Sequence, residues 1–199
     1  MKPMVRLKTA RLLLRDFEPD DWPALHDVES HADVARYQSF EPRTPEESRA
    51  YVIAACEEAA QDTRQTYDLA VVLIAEGLLI GRCGLGLTNR DLGEGMLWYT
   101  IHPSYWGQGY ATEAAHGLLA FGFGELRLHR IWADCDPANL ASVRVLEKLG
   151  MRREGHLIEN AWIKGAWEDS LIFAILDREW TSASRVPVDG HHNNANTES

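Results

Sequence analysis

Chemical interest concentrates between His102 and Ala114, "HPSYWGQGYATEA", where Gly107 and Gly109 alternate with Trp106, Gln108 and Tyr110 before the chain turns helix-forming at Ala111. At a helix start the first N–H groups lack intrahelical partners. The aligned peptide dipoles also leave roughly half a positive charge there, so an anion is stabilised. Gly107 and Gly109 allow close backbone approach, Ala111 and Thr112 keep the following turn slim, and the Thr112 hydroxyl adds a donor. A pyrophosphate fits this description; from the turn alone, so does a tight connection that needs glycine only for its backbone angles. A Walker-type phosphate loop is excluded because "WGQGYATEA" carries no lysine. A dinucleotide-binding turn would follow the first strand of a parallel βαβ unit, whereas this one follows three runs that read as antiparallel strands.

Other reactive side chains carry less. Cys56, Cys83 and Cys135 are odd in number and include no Cys-x-x-Cys pair, which excludes a disulfide framework and a zinc knuckle and points to a reducing cytoplasm. Cys135 ends an apolar strand without an adjacent histidine and reads as a buried structural thiol. His129 reads as sheet-edge packing. His191 and His192 lack the further fixed ligands that a metal requires, so no metal is expected. Trp162 and Trp167 read as core or edge packing, while Tyr37, in the irregular stretch "HADVARYQSFEPR", is a candidate for shaping an acceptor pocket.

The elements that must position these groups are well signalled. "RLLLRDF" reads as a strand, followed by a helix capped at Asp20. "TPEES" announces another helix: Thr44 caps, Pro45 occupies a position where its missing N–H is harmless, and Glu47 completes a capping box. "YDLAVVLIA" and "LLIGRCGLGL" form a hairpin around Glu76 and Gly77, and "GMLWYTIH" supplies the next strand. Ala114, Ala115, Leu118, Leu119 and Gly122 then recur at helical spacing, so the glycine turn joins a strand to a helix. "RIWADC" is a strand, "NLASVRVLEKLG" a helix ended by Gly150, and "MRREGHLIENAWI" with "WEDSLIFAIL" a closing strand pair. One domain is expected over residues 5–180, and a disordered polar tail over residues 181–199.

Bulk properties limit the partners. The 199 residues are 45% hydrophobic, enough for one domain with a sizeable core, and the net charge of −10 without a Lys/Arg block excludes a nucleic-acid or anionic-membrane footprint. Cationic partners suit such a surface. The N-terminal stretch is too highly charged for a signal peptide, and no apolar run approaches the roughly 20 residues of a membrane span. A cytoplasmic monomer or homodimer follows as the expectation.

"HPSYWGQGYATEA" followed by "RLHRIWADCDPANLASVRVLEKLGMRREG" resembles the GNAT superfamily of N-acetyltransferases, and within it the ribosomal-protein N-terminal (RimJ/RimL-like) group. The resemblance runs from "TARLLLRDFEPDD" to "WEDSLIFAIL". Gly109 and Ala111 match the family's Gln/Arg-x-x-Gly-x-Gly/Ala pattern, and Trp106 replaces the usual first residue, as is typical of the Rim-like branch. The resemblance implies an α/β (α+β) fold: a mixed, mostly antiparallel twisted sheet, split at the cleft for acetyl-CoA and flanked by helices. It also implies that Ile101 and His102 amides, on a bulge in "MLWYTIH", meet the pantetheine arm. By the same carry-over, Gly107, Gln108, Gly109, Tyr110, Ala111 and Thr112 hold the pyrophosphate, Trp106 is also counted among the cofactor-binding residues, and Asn139 and Ser142 face the pantetheine and thioester region. Arg144 and Lys148 either assist at the adenosine end or are solvated helix charges.

Amide formation from a thioester needs a neutral amine, a polarised carbonyl and a proton for the departing thiolate. Many relatives place a tyrosine seven residues after the asparagine, where this chain has Leu146; the Rim-like pattern puts Ser142 beside the sulfur instead. Asn139, Ser142 and Glu94 are therefore the candidate catalytic residues. Glu94, with Tyr37, is also assigned to the acceptor, because Met96 replaces the carboxylate that many relatives carry. Deprotonating an α-amine of pKa ~8 at neutral pH costs roughly 1.4 kcal/mol and a lysine about 4.6 kcal/mol, so a site without an obvious strong base is better matched to an α-amine. The leading expectation is acetylation of a protein N-terminal α-amine. A small-molecule amine (polyamine or antibiotic) and a silent CoA-binding regulatory module are the alternatives.

Overall fold

The computed structural model describes residues 4–180; the tail expected over 181–199, with His191 and His192, lies outside the described residues. Eight strands form one sheet in the order β1-β2-β3-β4-β5-β6-β8-β7. They are β1 (Arg6–Lys8), β2 (Leu12–Asp16), β3 (Thr66–Leu73), β4 (Leu79–Asn89), β5 (Glu94–Ile101), β6 (Arg130–Cys135), β7 (Arg152–Ile163) and β8 (Ala166–Leu176). The helices are α1 (Trp22–Glu29), α2 (Ala32–Ala35), α3 (Pro45–Ala59), α4 (Tyr110–Gly124) and α5 (Leu140–Lys148). All neighbouring strands are antiparallel except β5 and β6, which run parallel and are joined by the α4 crossover.

"LAVVL" of β3 and "LIGRCGL" of β4 show no polar alternation because both faces are covered. On one face α4 lays Ala114, Ala115, Leu118 and Leu119 against Leu14, Leu69, Val71, Leu85, Leu97 and Ile131. On the other, Leu25 and Val28 of α1 and Val52 of α3 pack with Phe17, Ala70, Val72 and Leu79. The α3 start carries the expected capping box between Thr44 and Glu47. Asp20 does not cap a helix. It lies within a 3-10 turn, Pro19–Asp21, and the next carboxylate, Asp21, is drawn to Arg15 at 2.6 and 2.7 Å.

Parallel pairing between β5 and β6 is confined to Glu94 with Arg130, Gly95 with Ile131 and Met96 with Trp132. Beyond Met96 the strands part, which opens the sheet beside the glycine turn. The bulge expected in "MLWYTIH" is absent: Gly95 to Ile101 pair with β4 in unbroken register, and the shift falls in β4 between Leu87 and Asn89. Departure of β6 bares one edge of β5 without any bulge.

Candidate active site

The glycine turn is left-handed at both glycines, Gly107 at φ +73° and Gly109 at +83°, and Gly109 is the N-cap of α4. An added Cβ at Gly107 meets nothing within 4 Å, and one at Gly109 meets an Arg11 nitrogen at 3.6 Å, so backbone conformation rather than crowding requires glycine here. The first intrahelical bond joins the Glu113 amide to the Gly109 carbonyl at 3.0 Å, which leaves the Tyr110, Ala111 and Thr112 amides at the open helix end. Arg11, from the β1–β2 turn, steadies this end. Its guanidinium reaches Glu113 at 2.7 Å and the Gln108 carbonyl at 3.1 Å, and lies 4.2 Å from the Tyr110 ring centroid. Glu113 also accepts from the Thr9 hydroxyl at 2.6 Å and the Arg11 amide at 2.7 Å. Nothing in the sequence links Arg11 and Glu113, which lie about a hundred residues apart.

A cavity of about 430 Å³ lies over this turn, lined by Gly107, Gly109 and Thr112, by Ile101 of β5, and by Arg144 and Lys148 of α5. The coenzyme roles expected of the two β5 amides separate here. The His102 amide donates to the Ile80 carbonyl at 2.8 Å and is spent on β4. By strand alternation the Ile101 and Tyr99 amides face the bare edge. Trp106 donates its indole N–H to the Ile101 carbonyl at 2.6 Å and Gln108 its side-chain amide to Ser104 at 3.1 Å, so both brace the turn from within.

His102, His31 and Asp27 form a cluster with metal-ligating atoms within 4.8 Å of one another. The His102 Nδ1 accepts from the Ser104 amide at 3.2 Å, so the neutral ring carries its proton on Nε2 and donates it to His31 Nε2 at 3.1 Å. A metal-bound imidazole would reverse that tautomer, so the cluster reads as a hydrogen-bonded pair.

A second cavity, of about 520 Å³, adjoins the first; Tyr37, Gln38, Tyr99, Asn139 and Ser142 line both. Asn139 caps α5 by accepting the Ser142 amide at 3.1 Å, and Ser142 Oγ lies 3.1 Å from the Tyr99 hydroxyl. Burial pushes the Tyr99 phenol above its ordinary pKa. Tyr99 is a functional candidate that sequence reasoning missed, although alternation in "LWYTI" sets it on one face with the core residues Leu97 and Ile101.

Leu146 and Met96 line the second cavity, but Glu94 lines neither. It lies at the far end of β5 from Ile101, about 23 Å away at strand rise, held by Arg130 at 3.3 Å and Thr88 at 3.1 Å. The carboxylates that do line the second cavity are Asp134, Asp136, Glu168 and Asp169. Asp134 is exposed by area, yet the surrounding walls desolvate its carboxyl and push its pKa up. Cys135 is half-buried rather than buried; desolvation raises its thiol to about 11, so it stays protonated near neutrality. Trp162 and Trp167 are not core: both are exposed and pack edge-to-face on each other at 5.3 Å.

Opposite the carboxylates stands a buried ionic network. Glu29 is fully buried and receives Arg82 at 2.6 Å and Arg43 at 2.7 Å. Arg82 also meets Asp68 at 3.4 Å, and Tyr51 donates its hydroxyl to Asp68. Burial pushes the Asp68 carboxyl up against the pull of Arg82, whose own pKa is held above the ordinary value by Asp68, Tyr51 and Glu29 despite desolvation. Gly84 lets the Trp98 ring lie on β4 at the back of this cavity; a Cβ there would fall 2.2 Å from the ring.

Residues 11–152 match the acetyltransferase (GNAT) domain family. The chain belongs to the GNAT superfamily of N-acetyltransferases. This GNAT enzyme is 35% identical over 178 residues to the uncharacterized N-acetyltransferase YnaD of Bacillus subtilis (strain 168), spanning 88% of this chain and 99% of YnaD. It is 25% identical over 182 residues to spermidine N(1)-acetyltransferase of Escherichia coli (strain K12), spanning 87% of this chain and 90% of that one. The crystal structure of a GNAT-family acetyltransferase from Bacillus anthracis superposes with a TM-score of 0.79 at 35% identity, covering 88% of this chain and all of that one. The mixed sheet parted beside the glycine turn is the GNAT acyl-CoA fold, and the protein is an acetyl-CoA-dependent acyltransferase acting on an amine. No helix among the described residues is long and apolar enough to cross a membrane.

Proposed function

We propose that the acceptor is a primary amine of a small polycationic molecule of the polyamine class. The observation that carries this reading is the set of carboxylates Asp134, Asp136, Glu168 and Asp169 in the cavity that meets the coenzyme side at Tyr99, Asn139 and Ser142; of the four cations that share its lining, Arg43 and Arg82 are paired with Glu29 and Asp68, which leaves Arg36 and Lys164 to offset them. Carboxylates on a concave wall attract and orient a multiply charged amine. The similarity to spermidine N(1)-acetyltransferase along most of both chains supports it.

Acetyl-CoA supplies an acetyl group activated as a thioester. The left-handed turn and the open start of α4 fit its pyrophosphate, offering the Tyr110, Ala111 and Thr112 amides to phosphate oxygens, with Arg144 and Lys148 beside them. The Ile101 amide serves the pantetheine arm. Ser142 hydrogen-bonds the sulfur, Asn139 holds the start of α5, and Tyr37 bounds the acceptor. An ammonium of lysine-like pKa costs about 4.6 kcal/mol to deprotonate at neutral pH. Asp134, with its raised pKa and place in the cavity, takes that proton in preference to Glu94, which lines neither cavity. The amine nitrogen then bonds to the acetyl carbon and the carbon–sulfur bond breaks with its electron pair on sulfur. The nitrogen's second proton is lost and sulfur gains one, giving an amide and a thiol. The whole activity resides in one domain over residues 5–180.

A protein N-terminal α-amine, the RimJ/RimL-like reading, is the second possibility. Ser142 with Leu146 in place of a tyrosine favours it, because a site with weak acid–base groups suits an amine of lower pKa. Release of free CoA thiol is to be followed with spermidine, spermine and peptides bearing N-terminal Ser or Ala. Polyamines are expected to show at least a tenfold higher kcat/KM, a difference of about 1.4 kcal/mol; faster turnover of the peptides overturns the polyamine assignment.

A further inference from the structure

We infer that Tyr99 is a positioning residue for acetyl transfer, holding the Ser142 hydroxyl so that its proton points into the space shared by the two cavities. This rests on the reading that Ser142 hydrogen-bonds the coenzyme sulfur.

The start of α5 is capped by Asn139 without the serine side chain. Asn139 Oδ1 takes the Ser142 amide at 3.1 Å, and the Asn139 amide donates to the Asp136 carbonyl at 2.9 Å. A first-turn hydroxyl so released ordinarily turns back to the backbone or out to water. Here it meets the Tyr99 phenol at 3.1 Å, and the same phenol lies 3.3 Å from the Ser142 carbonyl oxygen. The phenol carries one proton, which burial keeps in place, and two serine oxygens within its reach; given to the nearer, Oγ, it occupies one of that oxygen's two lone pairs and leaves the serine proton free for a further acceptor.

The phenol is rigidly mounted. Tyr99 pairs with Cys83 within the unbroken β4–β5 register, and its ring packs against the α4-side core. One turn beyond Ser142, Leu146 offers no donor. A tyrosine hydroxyl therefore reaches this corner from a strand rather than from the helix. Its raised pKa makes it a poor source of the transferred proton, so it acts through Ser142.

The test compares binding of CoA with that of desulfo-CoA by calorimetry at about pH 9, where part of the free CoA is already thiolate and a donor at the sulfur draws the bound form further that way. Wild type, Ser142→Ala, Tyr99→Phe and the double variant are measured, with folding checked by circular dichroism. A charge-assisted hydrogen bond predicts that wild type binds CoA about tenfold more tightly than desulfo-CoA. Ser142→Ala brings the ratio near one. Tyr99→Phe cuts it severalfold while leaving desulfo-CoA affinity unchanged, and adds nothing to Ser142→Ala. A ratio lost in Ser142→Ala but intact in Tyr99→Phe, or additive losses, overturns the Tyr99 role alone. A wild-type ratio near one removes the serine from the sulfur and overturns both.

Discussion

The cavity over the glycine turn presents amides, a helix end and two helix-borne cations, whereas its neighbour beyond Tyr99 and Ser142 presents carboxylates facing buried guanidiniums. On the proposed reading, in a chain of net charge −10 the first arrangement holds a polyanion largely with backbone dipoles that add no net charge, and the second achieves selectivity with side chains, whose signs can be changed without altering the path of the chain. That reading makes coenzyme binding a property of conformation and acceptor choice a property of residue identity.

Breaking the acceptor side at its foundation carries the largest expected effect. Glu29→Ala leaves Arg82 and Arg43 without their shared buried counter-charge, and about 3–5 kcal/mol of stability should be lost in urea unfolding. A loss below about 1 kcal/mol would mean that solvent already reaches the network. A sharper contrast comes from matched glycines. Gly109→Val and Gly77→Val each force a side chain onto a left-handed backbone, φ +83° and +66°, costing about 1–2 kcal/mol. Only the Gly109 variant should also lose CoA affinity, by roughly tenfold or more; equal CoA affinity in both would detach the turn from the coenzyme.

The smallest effect concerns the Arg11 clamp. Burial works to raise the Glu113 pKa, but hydrogen bonds from Thr9 and Arg11 outweigh it and hold the carboxyl below its ordinary 4.5. The folded protein then binds fewer protons than the unfolded chain. The clamp's contribution is complete above pH 4.5 and lost as pH falls through the depressed folded value. Between about pH 6 and 3.5, wild type should lose more stability than Glu113→Gln; parallel curves would show the clamp to be indifferent to charge.

The same contrast explains what could be read from the sequence. Turn, open helix start and capped α5 lie within "HPSYWGQGYATEA" and "ANLASVRV", contiguous stretches whose local chemistry declares itself. Thr44 and Glu47 announced α3 for the same reason. The second cavity and the ionic network behind it gather Glu29, Arg43, Asp68, Arg82, Asp134 and Glu168 from six separate strands, helices and loops, and no local pattern joins them. Glu94 lines neither cavity, although Met96, two residues on, lines the second; the pairing of β5 with β6 that holds Glu94 beside Arg130 is a tertiary event with no local signal. The expected bulge is absent, and the parting of two strands, a tertiary event, bares the Ile101 amide while that of His102 stays paired with β4.

A sheet stitched at its centre by three residue pairs, Glu94 to Met96 with Arg130 to Trp132, is mechanically a hinge reinforced by α4. β6, β8, β7 and α5 form one leaf and β1 through β5 the other. On the proposed reading, a coenzyme along the bare edge of β5 takes up hydrogen bonds that a longer β6 would have made and so acts as a strut between the leaves, which already touch where Tyr99 meets Ser142 at 3.1 Å. Loading the enzyme should therefore stiffen the relative movement of its two halves as well as supply the acetyl group.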